Sequence, residues 1–393
     1  MKQPLRIAHL SDTHLGYRAY YKTDPESGRN QRAVDIELAY EHAVSDILTR
    51  EVDLVIHSGD VFHHARPAYS AMRAFVRQSR RFEAAKLPVL VIGGNHDTPR
   101  LRTSGSVFSV LELALPDIRF VAGYEQEDVL FKEFNLEITA VPHGRLADKM
   151  EPLVIPTEGM YTVLVTHGLV PGLQVKGHHR EPGEEEITDA LLDAEFDYIA
   201  LGHYHEPSHP RRNAWYSGST ERMGWGDEPV EPGYNLVELS APGAEPTVTH
   251  IPLTTRRMET LSKVDGQGRD AREIADRVLK KLAEMESPEA LVRVQIVDTP
   301  RPIQREAESI LRREAGDLVW WLHTYSPADI LAPFSERQGE TAPTDIRSLF
   351  EEFIIERAYE PEFATTFGER GRRALDQAMR EGDTAGSTED TAA

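Results

Sequence analysis

The sequence predicts an α/β fold: a layered sandwich, then a small α+β domain and C-terminal helices. Three observations carry that expectation. Short apolar runs such as Asp53-Leu54-Val55-Ile56-His57 and Leu87-Pro88-Val89-Leu90-Val91-Ile92 read as strands buried on both faces. Segments with apolar residues at helical spacing lie between them. Each buried run then ends in a turn bearing aspartate, asparagine or histidine, and the ends of parallel strands are where open α/β sheets keep their sites.

A chain of 393 residues exceeds one compact core and suggests two or three domains. Hydrophobic content is 40%, and no apolar run approaches the ~20 residues of a membrane helix. The first residues lead directly into a strand without the apolar core of a signal peptide, so a cytoplasmic location is expected. The absence of cysteine excludes disulfides, thiolate metal sites and cysteine nucleophiles. The net charge of −21 argues at first against a nucleic-acid partner, but a local cationic site can dominate where DNA binds. Arginine greatly outnumbers lysine, and the acidic residues are spread along the chain. Either adaptation to a salty cytoplasm or an ordinary solvated acidic surface accounts for this, and a stability series in KCl separates the two.

Strand Leu5–Leu10 runs into Ser11-Asp12-Thr13-His14-Leu15-Gly16. In an extended segment Asp12 and His14 leave on the same side, a spacing that suits two ligands of one cation. A polar, aromatic loop from Tyr17 to Asn30 is long enough to cover a substrate. A helix over Gln31–Arg50 follows, with Val34, Leu38, Val44, Ile47 and Leu48 near one face. The central stretch is Ser58-Gly59-Asp60-Val61-Phe62-His63-His64. Its glycine permits a sharp exit from the strand, and Asp60 there either caps the next helix or bridges two cations.

Pro67 opens a helix to Ala84 whose Met72, Phe75, Val76 and Phe82 are core or partly a dimer face. Strand Leu87–Ile92 ends in Gly93-Gly94-Asn95-His96-Asp97, bringing a neutral carbonyl oxygen and an imidazole to the sheet edge. A helix over Gly105–Leu115 carries Val107, Phe108, Val110 and Leu111. Strands follow over Ile118–Val121, Leu136–Val141 and Tyr161–Thr166, the last continuing into His167-Gly168. His167 alone reads equally as a satisfied core residue. In the loop Val170–Glu186, His178 and His179 are read as solvent-facing. Strand Phe196–Leu201 ends in Gly202-His203-Tyr204-His205, which repeats the two-residue spacing of Asp12 and His14. Strands over Trp215–Ser217, Tyr234–Leu239 and Thr247–Ile251 complete residues 1–255.

Five strand ends thus deliver Asp12, His14, Asp60, Asn95, His167, His203 and His205. Oxygen and nitrogen ligands without sulfur suit manganese or iron and tolerate zinc. Two cations ~3.5–4 Å apart, bridged by one carboxylate, can hold a phosphate and ionise a water for in-line hydrolysis of a phosphoester.

Through D-x-H, G-D-x-x-H, G-N-H-D, H-G and G-H-x-H, the chain resembles the calcineurin-like metallophosphoesterases. Within them, Asp12-Thr13-His14-Leu15-Gly16-Tyr17 and Gly59-Asp60-Val61-Phe62-His63 make it most similar to the SbcD, or meiotic-recombination-eleven, nucleases of double-strand-break repair. The resemblance implies a metallophosphoesterase sandwich and a two-metal DNA exonuclease and single-strand endonuclease. It places Asp12, His14, Asp60 and His205 on one metal, and Asp60, Asn95, His167 and His203 on the other. It gives His96 the leaving group or transition state, and His63 the phosphate. It points to a homodimer, as do the apolar helices; the ligand types put manganese first, with iron or zinc possible, and no membrane partner is expected. Competing activities are a phosphatase or cyclic-nucleotide phosphodiesterase on the same core, and a non-catalytic DNA-end scaffold.

Residues 256–326 show a strand from Arg256, helix Arg269–Met285, strand Leu291–Val297, helix Gln304–Ala315 and strand Leu318–Tyr325. They resemble the family's DNA-positioning capping domain, and equally a plain α+β domain. Residues 327–343 read as a linker, 344–380 as helical and 381–393 as a disordered acidic tail. Leu349, Phe350, Phe353 and Ile354, then Phe363 and Phe367, mark apolar helix faces without an evident core. They either fold back or bind a partner, which the resemblance makes an SbcC-like, Rad-fifty-type coiled-coil ATPase.

Overall fold

In the computed structural model, residues 4–99, 101–148, 155–173, 183–326, 368 and 370–373 are described. The chain divides into two compact units, Met1–Thr324 and Tyr325–Ala393. The first unit holds two large sheets and one small one.

The two six-stranded sheets face each other. The first holds β1 (Leu5–Leu10), β2 (Leu54–His57), β3 (Val89–Ile92) and β4 (Ile118–Val121), all parallel, and is extended by β11 (Gly233–Leu239) and β12 (Thr247–Pro252), both antiparallel to their neighbours. In the second, β6 (Leu136–Val141), β7 (Tyr161–His167), β8 (Tyr198–Gly202) and β10 (Ala214–Tyr216) are parallel, with antiparallel β5 (Glu127–Phe131) and β9 (Ser208–Arg211) at the edges.

Strand alternation explains the unbroken apolar runs. On β1 and β2, Ile7, Leu54 and Ile56 enter the core between the sheets, where they meet Ile138, Val163 and Val165. Ala8, Leu10 and Val55 face the other way, against α1 (Gln31–Ile47), α2 (Tyr69–Ala85) and α3 (Phe108–Ala114). Leu164, Ile199 and Leu201 pack outside the second sheet with Leu191 of α5 (Asp189–Leu192); a single turn, α4 (His143–Ala147), precedes it.

A separate three-stranded sheet, β13 (Met258–Asp265), β14 (Leu291–Val297) and β15 (Trp321–Tyr325), packs with α6 (Ala271–Met285) and α7 (Arg301–Glu314) around its own core, including Val264, Ile274, Val294 and Leu311.

Several sequence expectations are corrected. Leu38 is 46% exposed, because the buried face of α1 keeps Val44 and Ile47 but runs on through Ala43, Tyr40 and Ile36. The helix expected from Gly105 begins only at Phe108, since Gly105 has φ 68° and closes a 3₁₀ turn over Arg102–Ser104. The helix expected from Gln304 begins at Arg301, with Pro302 in its first turn, where a missing N–H costs nothing. The strand expected from Leu318 starts at Trp321. His178, His179 and Leu349, Phe350, Phe353, Ile354, Phe363 and Phe367 lie outside the described residues.

Candidate metal centre

The turns after β1, β2, β3, β7 and β8 meet at one end of the sandwich, across the seam between its sheets. The Asp12–His14 turn is not extended, as its spacing had suggested. Asp12 and His14 have φ of 51° and 44°, and the convergence comes from alternating left-handed residues. Their backbone N–H groups donate to the carbonyls of Gly59 and Asp60, both at 3.0 Å, which zips this turn to the next one. Thr13 Oγ1 adds a bond to Val61 O at 3.0 Å.

Asp60 sits at the centre. A Cβ on Gly94 would lie 2.1 Å from Asp60 Oδ1 and 2.4 Å from its nitrogen, so only glycine admits this approach. Asp60 Oδ1 accepts the N–H of His96 at 2.9 Å, while Oδ2 lies 3.4 Å from His167 Nε2 and 3.7 Å from His14 Nε2. One carboxylate therefore faces both halves of the cluster. His167 donates Nδ1–H to Ser58 O at 2.8 Å, which turns Nε2 toward the cluster, 2.9 Å from Asn95 Oδ1. His203 Nδ1 approaches the same oxygen at 3.2 Å. On the other side, His205 Nε2 is 3.2 Å from His14 Nε2, with Asp12 Oδ1 4.0 Å from His14. Ligand atoms of Asp12, His14 and His205, and of Asp12, Asp60 and His167, lie within 4.8 Å of one another.

His63 and His96 occupy the more open side. Their rings stack at 5.2 Å, and each meets His14 edge-on, at 5.4 and 4.8 Å. His96 Nδ1 donates to His63 O at 2.9 Å, fixing its ring with Nε2 unclaimed by that bond. Tyr17, from the long loop after β1, packs edge-on against His63 at 5.0 Å.

The donor set fits divalent cations. Asp12 is fully buried, and its Oδ2 accepts from Ser11 Oγ and from the His203 N–H at 3.1 Å. Its Oδ1 is buried with no hydrogen-bond partner among the described residues, an orphan that a cation would satisfy. Burial raises the Asp12 carboxyl, and the Asp60 charge adds to that. Burial opposes the charge of Asp60 too, yet His167 and His14 hold it well below the usual carboxylate range. Without a cation, Asp60 and Asp227 hold protons on His167 and His205, each raised to about 9 against burial, and a cation would take the place of that positive charge.

Two carboxylates escaped the sequence reading. Asp97, the last residue of Gly94-Asn95-His96-Asp97, accepts the N–H groups of Val61 at 3.0 Å, Phe62 at 2.9 Å and Gly94 at 3.2 Å, clamping the Asp60 turn to the Asn95 turn. Its position in the motif marked it. Asp227 accepts His205 Nδ1–H at 2.9 Å, and nothing in its local sequence distinguishes it.

Five turns bearing metal-ligating residue types, gathered at one end of paired sheets, are the build of a metallophosphoesterase. The profile of the calcineurin-like phosphoesterase family matches residues 5–207, and the chain belongs to that family. Among curated proteins it is similar to the DNA double-strand break repair protein Mre11 of Haloferax volcanii, 32% identical over 324 residues, covering 80% of this chain and 66% of that protein. The protein of the same name from Halobacterium salinarum is 29% identical over 243 residues, covering 60% and 57%. That of Methanosarcina acetivorans is 27% identical over 302 residues, covering 74% and 45%. The chain thus spans between about half and two thirds of these relatives' own length. A dimetal phosphatase structure from Danio rerio, with TM-score 0.36 and 11% identity over 63% of this chain, adds nothing to that assignment.

Proposed function

We propose that this protein is a two-metal DNA nuclease of double-strand-break repair, acting as exonuclease and single-strand endonuclease. The observation that carries the reading is the position of Asp60, one carboxylate oxygen of which lies within 3.7 Å of imidazoles on both sides. Asp12, His14, Asp60 and His205 would hold one cation, and Asp60, Asn95, His167 and His203 the other. Two such cations, manganese foremost, supply Lewis acidity toward a phosphodiester and its attacking water. His63 contacts the phosphate, and His96 holds or gives a proton at Nε2 toward the leaving oxygen. The relatives named for double-strand-break repair support DNA as the substrate.

The test compares single-stranded DNA with p-nitrophenyl phosphate across a series of added metals. The expected outcome is manganese-dependent cleavage of DNA exceeding that of the small ester, abolished by Asp60→Ala with loss of bound metal. Preference for the small ester would sink the nuclease reading, and full activity in Asp60→Ala would sink the bridging role.

Residues 256–326 are read as a capping domain that positions DNA, and the protein as a homodimer in the cytoplasm. No helix among the described residues is long and apolar enough to cross a membrane. Leu349, Phe350, Phe353, Ile354, Phe363 and Phe367 are assigned to a coiled-coil ATPase partner; each side chain buried there would contribute on the order of 1.5–3 kcal/mol before binding costs. A chain stopped near Pro333 keeps every proposed metal ligand, so it should cleave single strands with manganese yet fail to co-purify with that ATPase. Normal co-purification would move the docking site elsewhere.

A further inference from the structure

The short turn Trp225–Glu228 touches both the metal cluster and the small sheet. On one side, Asp227 Oδ2 accepts His205 Nδ1–H at 2.9 Å. The same oxygen accepts the N–H groups of Met223 at 2.8 Å and Gly224 at 3.4 Å, so the carboxylate is fixed by its own turn. A carboxylate held in this way sets both the rotation of the ring and its tautomer: with hydrogen on Nδ1, the lone pair on Nε2 is left for the cluster.

On the other side, the next residue is gripped by the small sheet. Glu228 accepts the Thr260 N–H at 2.6 Å and the Thr260 hydroxyl, both from β13. Arg293 of β14 bonds Glu228 Oε2 at 3.2 Å and Thr260 Oγ1 at 2.6 Å, and its guanidinium stands 4.9 Å over the Trp225 ring. Charged and aromatic contacts on both flanks of Asp227 thus come from the three-stranded sheet, at partly buried positions where such pairs keep their strength.

We infer that Asp227 is the positioning residue of His205, and that through the Trp225–Glu228 turn the seating of the small sheet sets the affinity of the protein for one of its two cations. This rests on the two-metal reading of the centre. It deepens that reading by making the small sheet a regulator of the metal centre. A ligand that shifts β13 or β14 acts on His205 without touching the cluster.

The experiment is calorimetric titration of Mn²⁺ into the chelator-stripped full-length protein, with melting of the metal-free form as the check on folding. The wild type should show two binding events. Asp227→Ala should weaken one event by roughly 10–100-fold, the usual cost of losing the group behind a ligating histidine, and leave the other unchanged. Asp227→Asn keeps an oxygen acceptor for Nδ1–H and should lose less. Glu228→Ala and Arg293→Ala never touch His205, and each should weaken the same event by a smaller factor. Wild-type affinity at both events in Asp227→Ala, with unchanged melting of the metal-free form, would overturn the positioning role. Equal weakening of both events would reduce Asp227 to a general scaffold residue and overturn it as well. Unchanged binding in both Glu228→Ala and Arg293→Ala would overturn the link to the small sheet. Fewer than two events in the wild type would defeat the two-metal reading itself, a result distinct from all of these.

Discussion

His96 illustrates how neighbouring residues in one turn take different work. Its backbone N–H steadies Asp60, and its ring is fixed on His63 O, so the side chain is oriented without being spent on the cluster. His96→Ser keeps the backbone donor and removes only the imidazole. It should retain both metal ions and the fold while turnover drops by ~10²–10⁴-fold, the usual range for general acid–base help. Metal analysis beside a nuclease assay checks this, and loss of an ion would move His96 into the ligand shell. The residues of the cluster were legible because each motif joins a strand end to a metal-ligating type. The backbone was not: D-x-H carries no sign that Asp12 and His14 are both left-handed, since that strain is held by hydrogen bonds from a turn about 45 residues away. Asp227 was illegible for a related reason, as only tertiary packing brings it to His205.

At the scale of elements, α2 and α3 turn opposite faces to different surroundings. Phe75, Phe82, Phe108 and Leu111 are buried in the core beside the first sheet. Tyr69, Leu101, Val110 and Leu113 are 87%, 68%, 62% and 86% exposed on or beside the same helices. A cavity of about 510 Å³ opens among Pro67, Met72, Leu101, Val107 and Val110. Large apolar side chains gathered in this way favour two-fold self-association. Leu113→Glu should therefore lower the mass seen by light scattering at micromolar concentration from dimer to monomer, and a wild type already monomeric there would refute the dimer. The buried strands were readable from their unbroken apolar runs. β5 and β9 were not, because edge strands such as Ser208-His209-Pro210-Arg211 alternate with solvent and contain the proline that only an edge tolerates.

For the molecule as a whole, the buried histidines set the response to acid. Burial, with their mutual repulsion or nearby imidazoles, lowers His9 and His57 to about 3; burial likewise lowers His63 and His143 to about 4. Below their ordinary value of 6.5, the unfolded chain takes up protons that these folded groups refuse, so stability falls as the pH drops from about 6.5. Asp97, His167 and His205 work in the opposite sense, since burial and the Asp60 charge push Asp97 up to about 7 and, against burial, the Asp60 and Asp227 charges raise the two imidazoles to about 9; they stand against the four lowered imidazoles, which His14 and His203, lowered by burial, join. Each of the fully buried pair His9 and His57 contributes about 1.4 kcal/mol per pH unit in that window. Urea unfolding of the chelated protein should show a lower midpoint at pH 5.5 than at pH 7, and an equal or higher one would refute the account.

The seam between the two sheets also governs when the centre can exist. The bond from the His203 N–H to Asp12 Oδ2 closes a loop of 191 residues, and the His205–His14 contact closes another of 191. Contacts so distant along the chain form late, because their closure entropy must be met before they are rewarded. On the ribosome, a chain that has not yet released β8 holds Asp12, His14 and Asp60 without the histidines that complete the cluster. On the proposed nuclease function, cutting activity would thereby be withheld from unfinished chains, so that the timing of synthesis itself acts as a safeguard.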